Sequence, residues 1–301
     1  MTPYMNRFQI RDLEEFSGVK AHTIRMWEKR YGLLDPDRTG TNIRTYSLDE
    51  LKAILNVAFL NQNGFKISKI AAMSSADRER MVNEVSNSRV QGSDILNSLK
   101  LAMLSFDEVL FESASSRFRD VHGFRALVEQ VYVPLLEQIG ILWMSNAICP
   151  AQEHFVSNYI RHKLIMASGA LPLDAAPRDR MFVLYLPENE IHELGLLYLE
   201  YLLRSKGERT IYLGQSVPSA DLVQVLKAVD KKVIFVSLLM ANPPAAEIPA
   251  FLQELRTLIP DERATFWIAG GQLAKIPELS VPKGMMLHAS IAATVVAVDA
   301  L

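Results

Sequence analysis

Near residue 190 the sequence reads ENEIHELG, in which Glu190, His192 and Gly195 are spaced E-x-H-x-x-G. A histidine in a loop can ligate a metal through one ring nitrogen while a neighbouring carboxylate fixes and polarises the other. Gly195 would let the tail of a bulky planar ligand approach the backbone. Two further apolar runs end in small or hydroxyl-bearing groups where a nucleotide tail would need them. VSLL supplies Ser237 and Leu239, and IAGG supplies Gly270 and Gly271. An isolated loop histidine is more often a surface hydrogen-bonding group, so this reading depends on the elements around it.

Those elements are legible from periodicity. MFVLYLP, TIYLG, VIFVSLL and TFWIAGG are short apolar runs separated by amphipathic stretches such as HELGLLYLEYLLRSKG and PAAEIPAFLQELRTLI. Alternating buried strands and helices predict a doubly wound, parallel, Rossmann-like sheet over 178–301. In such folds ligands sit at the C-terminal edge of the strands, where ENEIHELG falls. Ahead of it, residues 95–172 repeat apolar positions at spacings of three and four, among them Phe124, Leu127, Val131, Leu135, Ile139 and Leu142. That predicts four helices, near 95–105, 107–120, 123–144 and 150–170, forming a bundle in which Pro134 kinks or splits the third. Residues 76–94 are polar and read as a linker with room for a helical turn or two.

The front end is a different kind of surface. Residues 1–75 hold 11 Lys and Arg against 8 Asp and Glu, whereas the whole chain has 32 against 34. A cationic front on a slightly acidic chain is the sign expected where one end meets an anion. QIRDLEEFSGVKAHTIRMWEKR reads as helix, glycine turn, helix, with Leu13, Phe16, Val19, Ile24 and Trp27 as shared core. Thr23, Arg25, Lys29 and Arg30 remain beside or on the second helix, where they suit phosphates and base edges in a major groove. DPDRTGTNIRTYS reads as a hairpin wing carrying Arg38, Arg44 and Tyr46.

Composition excludes several classes. Cys149 is the single cysteine, so no intramolecular disulfide forms and a cysteine-based metal cluster is not expected. The N-terminus has no signal-peptide pattern and no apolar run approaches the roughly eighteen residues of a membrane span, so a cytoplasmic protein with no membrane partner is expected. No nucleophile–base–acid set or phosphate loop stands out, and the glycines of IAGGQ lack the first-turn placement of a nicotinamide site. An enzyme is therefore not expected.

GVKAHTIRMWEKRYGLLDPDRTGTNIRTYSLDEL, continued by LKAILNVAFLNQNGFKISKIAAM, closely resembles the winged-helix head of the MerR family of transcriptional regulators. The resemblance implies double-stranded operator DNA as partner, self-association as a dimer or tetramer, and Thr23, Arg25, Lys29, Arg30, Tyr31, Arg38, Arg44 and Tyr46 as contacts. Trp27 is expected in the core and Glu28 in a structural role. E-x-H-x-x-G, then S-x-L, then G-G resembles the cobalamin-binding domain, with Glu190 where that pattern has Asp. WMSNAICPAQEH places Trp143 nine residues before Glu153 and His154, an arrangement similar to the helical cap of the MerR-type, cobalamin-dependent photoreceptor regulators. By that resemblance His192 is the lower axial ligand of cobalt, and Glu190, Gly195, Ser237, Leu239, Gly270 and Gly271 surround the corrinoid. Trp143 covers the upper face of adenosylcobalamin, and Glu153 and His154 line its adenosyl side.

One departure is Met144, where typical light-sensing members carry a histidine after the cap tryptophan; a thioether is a poor ligand for oxidised cobalt. Three readings remain: a light-responsive cobalamin-dependent repressor, a regulator sensing cobalamin without light or keeping a vestigial domain, and a corrinoid methyl-transfer carrier. The winged head argues against the last. The expected architecture is a multidomain α and α/β chain: winged helix-turn-helix (1–75), linker (76–94), four-helix bundle cap (95–172) and Rossmann-like domain (178–301).

Overall fold

The computed structural model describes residues 7–88, 92–144, 148–172, 179–276 and 278–301. They fall into two compact units, one ending at Asn158 and the other beginning at Tyr159.

The first unit opens with α1 (Ile10–Ser17) and α2 (Ala21–Tyr31). Gly18, at φ 70°, ends α1 in the left-handed conformation that side-chain-bearing residues rarely adopt, and so sets the turn between the two helices. Leu13, Phe16, Ile24 and Trp27 are buried, as their spacing predicts, and Val19 is half-buried. A two-stranded antiparallel wing comes next, β1 (Asp37–Arg38) and β2 (Arg44–Thr45). Then come α3 (Leu48–Gln62), capped by a reciprocal Ser47–Glu50 box, and α4 (Ile67–Ala71).

The tract 76–94, expected as a linker with a helical turn or two, is helical as far as Ser88. Its helix α5 (Ser75–Ser88) starts where Ser74 Oγ accepts from Asp77 N at 3.1 Å and donates back to the Asp77 carboxylate at 2.7 Å. The S-x-x-D spacing is a helix-start signal hidden by the polarity of the residues after it. Helix α5 packs on α3, and α3 packs also on α1 and on the first bundle helix, α6 (Gly92–Ser105). Head and bundle therefore share one compact unit and are not separated by a free tether. Lys100 of α6 is buried, and its ammonium donates to the carbonyl of Phe16 in α1 at 2.9 Å.

The bundle continues with α7 (Glu108–His122) and a long third helix, α8 (Phe124–Leu127) passing through a π-helical turn (Val128–Tyr132) into α9 (Val133–Met144). Pro134 has no N–H to offer the preceding turn, and the backbone widens just before it, with Val133 N donating to Val128 O. The expected kink or split is thus absorbed as a π turn. The fourth helix, α10 (Pro150–Gly169), contains the unit boundary. Phe155 near its start meets Phe106 and Phe111 edge-on, at 5.8 and 6.0 Å between centroids.

The second unit is a five-stranded parallel sheet. In chain order it holds β3 (Arg180–Pro187), α11 (Leu194–Ser205), β4 (Thr210–Val217), α12 (Leu222–Ala228) and β5 (Lys232–Leu238). Helix α13 (Ile248–Leu258), β6 (Ala264–Ala269), β7 (Met285–His288) and α14 (Ile291–Asp299) complete it. The strand order is β4-β3-β5-β6-β7 with every pairing parallel. Four of these strands match the apolar runs; β7 is a four-residue addition between turn residues. Val183, Tyr185, Phe235, Phe266 and Ile268 pack with Leu252 and Leu255 of α13 into the core of one face. The order reverses between β3 and β5, and that switch point is where a doubly wound sheet opens a crevice.

Candidate functional site

The loop after β3 lies at this switch point, and Glu190 organises it. The residue is fully buried. Its Oε1 accepts from the backbone amides of Ile191 and His192 at 2.9 and 3.0 Å and meets His192 Nδ1 at 2.5 Å. Its Oε2 accepts from Met240, Ala241 and Asn242 amides at 3.0, 2.6 and 2.9 Å, all in the loop after β5. One carboxylate thus fastens together the two loops that flank the crevice. Burial alone would raise the Glu190 carboxyl, but the Ala241 and Asn242 amides and His192 outweigh it and bring it down to about 2.

With Nδ1 engaged by Glu190, the imidazole of His192 keeps Nε2 as a free ligand atom, and its side chain is 57% exposed. This is the carboxylate–histidine arrangement that orients a metal-binding imidazole and raises its basicity. The donor set fits a cobalt corrinoid, which His192 would hold through Nε2. Among the described residues no group of three or more His, Cys, Asp or Glu gathers as a polydentate metal site.

The neighbouring loops are equally constrained. At Gly270 the backbone has φ +131°, and a Cβ there would lie 2.3 Å from the carbonyl oxygen of Leu239. Only glycine allows that approach. Gly271 has open space around it. Gln272 joins the same cluster by donating from its side chain to Ala241 O at 3.1 Å. Ser237 and Leu239 are buried. Ser237 Oγ and the Tyr185 hydroxyl are close enough to interact, yet neither meets hydrogen-bond geometry with any group. Gly195 has a packing reason of its own: a Cβ would sit 2.6 Å from Ile291 Cδ1 and 3.0 Å from Leu238 Cδ1, so glycine lets α11 approach α14 and β5.

Glu190, His192, Gly195, Ser237, Leu239, Gly270 and Gly271 are thus brought to one edge of one sheet. The remaining candidates lie in the first unit. Trp143, near the end of α9, is half-exposed, and Glu153 and His154 lie near the start of α10, with His154 Nδ1 2.5 Å from Glu153 Oε2. The side chain of Met144 lies outside the described residues. Sequence reasoning passed over the amides of 240–242, although the Asn-Pro step in ANPP marks a turn there. It also passed over Glu193, Arg161 and Tyr212.

On the head, Arg25, Lys29 and Arg30 of α2 are exposed, Thr23 and Tyr31 are half-buried, and Arg38 is exposed in the wing. The Arg30 guanidinium lies over the Tyr31 ring, 5.4 Å from its centroid. Tyr46 is a correction. It is fully buried, its hydroxyl donates to Glu28 at 3.1 Å, and its backbone bridges Phe8. Its ring anchors the wing and does not face a DNA backbone. Arg44 pairs with the other oxygen of Glu28 at 2.9 Å and is half-buried. Glu28 therefore ties the wing to the second helix, a structural role.

Residues 8–77 match the model of the MerR HTH family regulatory protein, and residues 95–167 match that of a B12 binding domain. The class is thereby defined: a DNA-binding regulator of the MerR type joined to a corrinoid-binding module. Over 257 residues the chain is 30% identical to the HTH-type transcriptional repressor CarA of Myxococcus xanthus, covering 84% of this chain and 83% of that protein. It is 29% identical over 269 residues to the HTH-type transcriptional repressor CarH of the same organism, covering 87% and 88%. The chain belongs to the family of these MerR-type transcriptional repressors. The monomethylamine corrinoid protein of Methanosarcina barkeri shares the fold, with a TM-score of 0.56 at 14% identity over 70% of this chain and all of its own. No helix among the described residues is long and apolar enough to cross a membrane.

Proposed function

We propose that this chain is a cobalamin-dependent transcriptional repressor that binds operator DNA as an adenosylcobalamin-stabilised homo-oligomer in the dark and releases it in light. The observation that carries the cofactor reading is the buried Glu190 carboxylate holding His192 Nδ1 at the switch point and leaving Nε2 available. Bound adenosylcobalamin supplies a light-cleavable cobalt–carbon bond and a broad planar body. His192 would hold the cobalt through Nε2, Ser237 Oγ would donate to the nucleotide tail, and the glycine pair 270–271 would give a close backbone approach. Trp143, Glu153 and His154 are the residues proposed to meet the adenosyl group. Arg25, Lys29, Arg30 and Arg38 meet DNA, supported by their exposure on the second helix and wing. A dimer or tetramer raises affinity because each additional head binds at the high effective concentration set by the first.

The deciding experiment mixes purified full-length chain with adenosylcobalamin in the dark, removes free ligand and records absorption before and after green light, with molecular mass measured alongside. Retained corrinoid, a spectral change and a change in mass establish the photoreceptor reading. Retained corrinoid with an unchanged mass replaces it with a sensor of cobalamin supply. No retained corrinoid overturns the cofactor reading.

A further inference from the structure

His192 is flanked by a second buried carboxylate that lies outside the E-x-H-x-x-G pattern. Glu193 is 4% exposed. Its Oε1 accepts from Arg161 Nε of α10, and its Oε2 accepts from the Tyr212 hydroxyl of β4 at 2.8 Å. The backbone is equally committed: Glu193 N donates to Ile191 O at 2.9 Å, and Glu193 O accepts from Leu197 N at 2.9 Å in the first turn of α11. One residue thus joins α10, β4 and α11 where the ligand loop becomes helix. Two turns further along α11, Glu200 pairs with Arg204 at 2.9 Å, and Arg204 Nη1 donates to Ser168 O of α10 at 3.3 Å.

A carboxylate taken out of water is costly unless each oxygen is paired, and an apolar side chain would fill the same place without that cost. What charge-assisted bonds add is direction, because they hold only over a narrow range of distance and angle. Glu190 fastens the loop on the side of β5, and Glu193 fastens it on the side of α10 and β4. His192 lies between the two anchors, with its own amide and ring held by the first.

From this geometry we infer that Glu193 is a positioning residue for His192: through Arg161 and Tyr212 it sets the angle at which the ligand loop presents the imidazole. The inference rests on the cobalamin reading, and the test separates the two. The full-length chain, labelled with 15N-histidine, is loaded with cob(II)alamin, and the nitrogen splitting of its paramagnetic resonance spectrum reports the share of cobalt ligated by histidine. In E193Q the ratio of histidine-ligated to unligated cobalt falls by about tenfold, the order expected for loss of one charge-assisted hydrogen bond. R161M gives the same fall, and the double variant gives no more, since both act through one contact. Y212F, which removes a neutral donor, gives a smaller fall and covers the case in which E193Q does not fold.

Hydrogen exchange of the ligand-free chain is the second readout, with faster exchange expected at residues 191–194 in E193Q. Faster exchange with unchanged nitrogen splitting makes Glu193 a structural brace only and overturns the inference. Unchanged exchange and unchanged splitting overturn it as well. If the wild-type chain takes up no cob(II)alamin, the cofactor reading falls, and with it any role for Glu193 in presenting a ligand.

Discussion

Glu190 accepts five backbone amides and one imidazole with two oxygens. Glutamine at this position turns one acceptor oxygen into an NH2 that faces N–H donors. Each oxygen faces three donors, so three are then stranded at about 1–3 kcal/mol each, and E190Q should be destabilised by about 3 kcal/mol or more. Loss of such an outer partner also weakens metal binding by about 10–100-fold. Urea midpoints and corrinoid titration of E190Q check both, and unchanged affinity would remove Glu190 from the site. The glycine pair offers a cleaner contrast. At Gly270 a methyl group meets the Leu239 carbonyl at 2.3 Å on a backbone with φ +131°, whereas Gly271 has nothing within 4 Å. G270A should cost about 1–3 kcal/mol from the strained backbone alone, with the clash in addition, while G271A stays within about 0.5 kcal/mol. Equal denaturation midpoints for the two variants would contradict the close-approach reading. The Glu190–His192 pair was legible because chemistry confines it to a short motif. The amide donors at 240–242 were not, because any residue supplies an amide and only the turn places it.

Helices and strands were legible to the extent that one period governed them. The four bundle helices are readable from spacings of three and four, and the alternation of apolar runs with amphipathic stretches shows the parallel sheet. Helix α5 escaped because its apolar content is low and its support comes from α3, a partner distant in sequence. Strand β7 escaped because four residues carry too little pattern, and its place is set by pairing with β6. Lys100 shows the same limit. Nothing in its sequence neighbourhood marks it as buried, yet its ammonium satisfies the Phe16 carbonyl near the C-terminus of α1. Burial lowers this ammonium from 10.5 to about 8. The unfolded chain therefore binds more protons than the folded one between these values, and stability rises with pH across that window. Converted at 1.36 kcal/mol per pH unit, the rise is on the order of 3 kcal/mol and is absent from K100M. Urea unfolding of both proteins at pH 7.5 and 10.5 measures it. A difference between wild type and K100M that does not grow in favour of wild type over this range would show that the ammonium is solvated.

At the scale of the whole molecule the uneven charge becomes a property of assembly. A chain of net charge −2 with a cationic front approaches DNA by that end, and its affinity should depend steeply on salt because phosphate contacts release counterions. Each contact contributes about 0.9 to the slope of log affinity against log salt concentration. Arg38 is exposed in the wing and is proposed to meet the phosphate backbone, so R38A should lower affinity similarly on every sequence. The number of heads engaged then becomes measurable. If two heads grip one operator, R38A reduces the slope by about 1.8, and if a single head binds, by about 0.9. R25A tests the other kind of contact: an arginine reading a base edge costs about 1–3 kcal/mol on the preferred sequence and less elsewhere, so specificity relaxes. Binding isotherms of both variants across salt concentrations, with corrinoid in the dark and after illumination, separate the contributions. A slope change of about 1.8 in the dark that falls to about 0.9 after light would tie release from DNA to the parting of two heads. A slope that is the same in both states would place the effect of light somewhere other than in the number of heads bound.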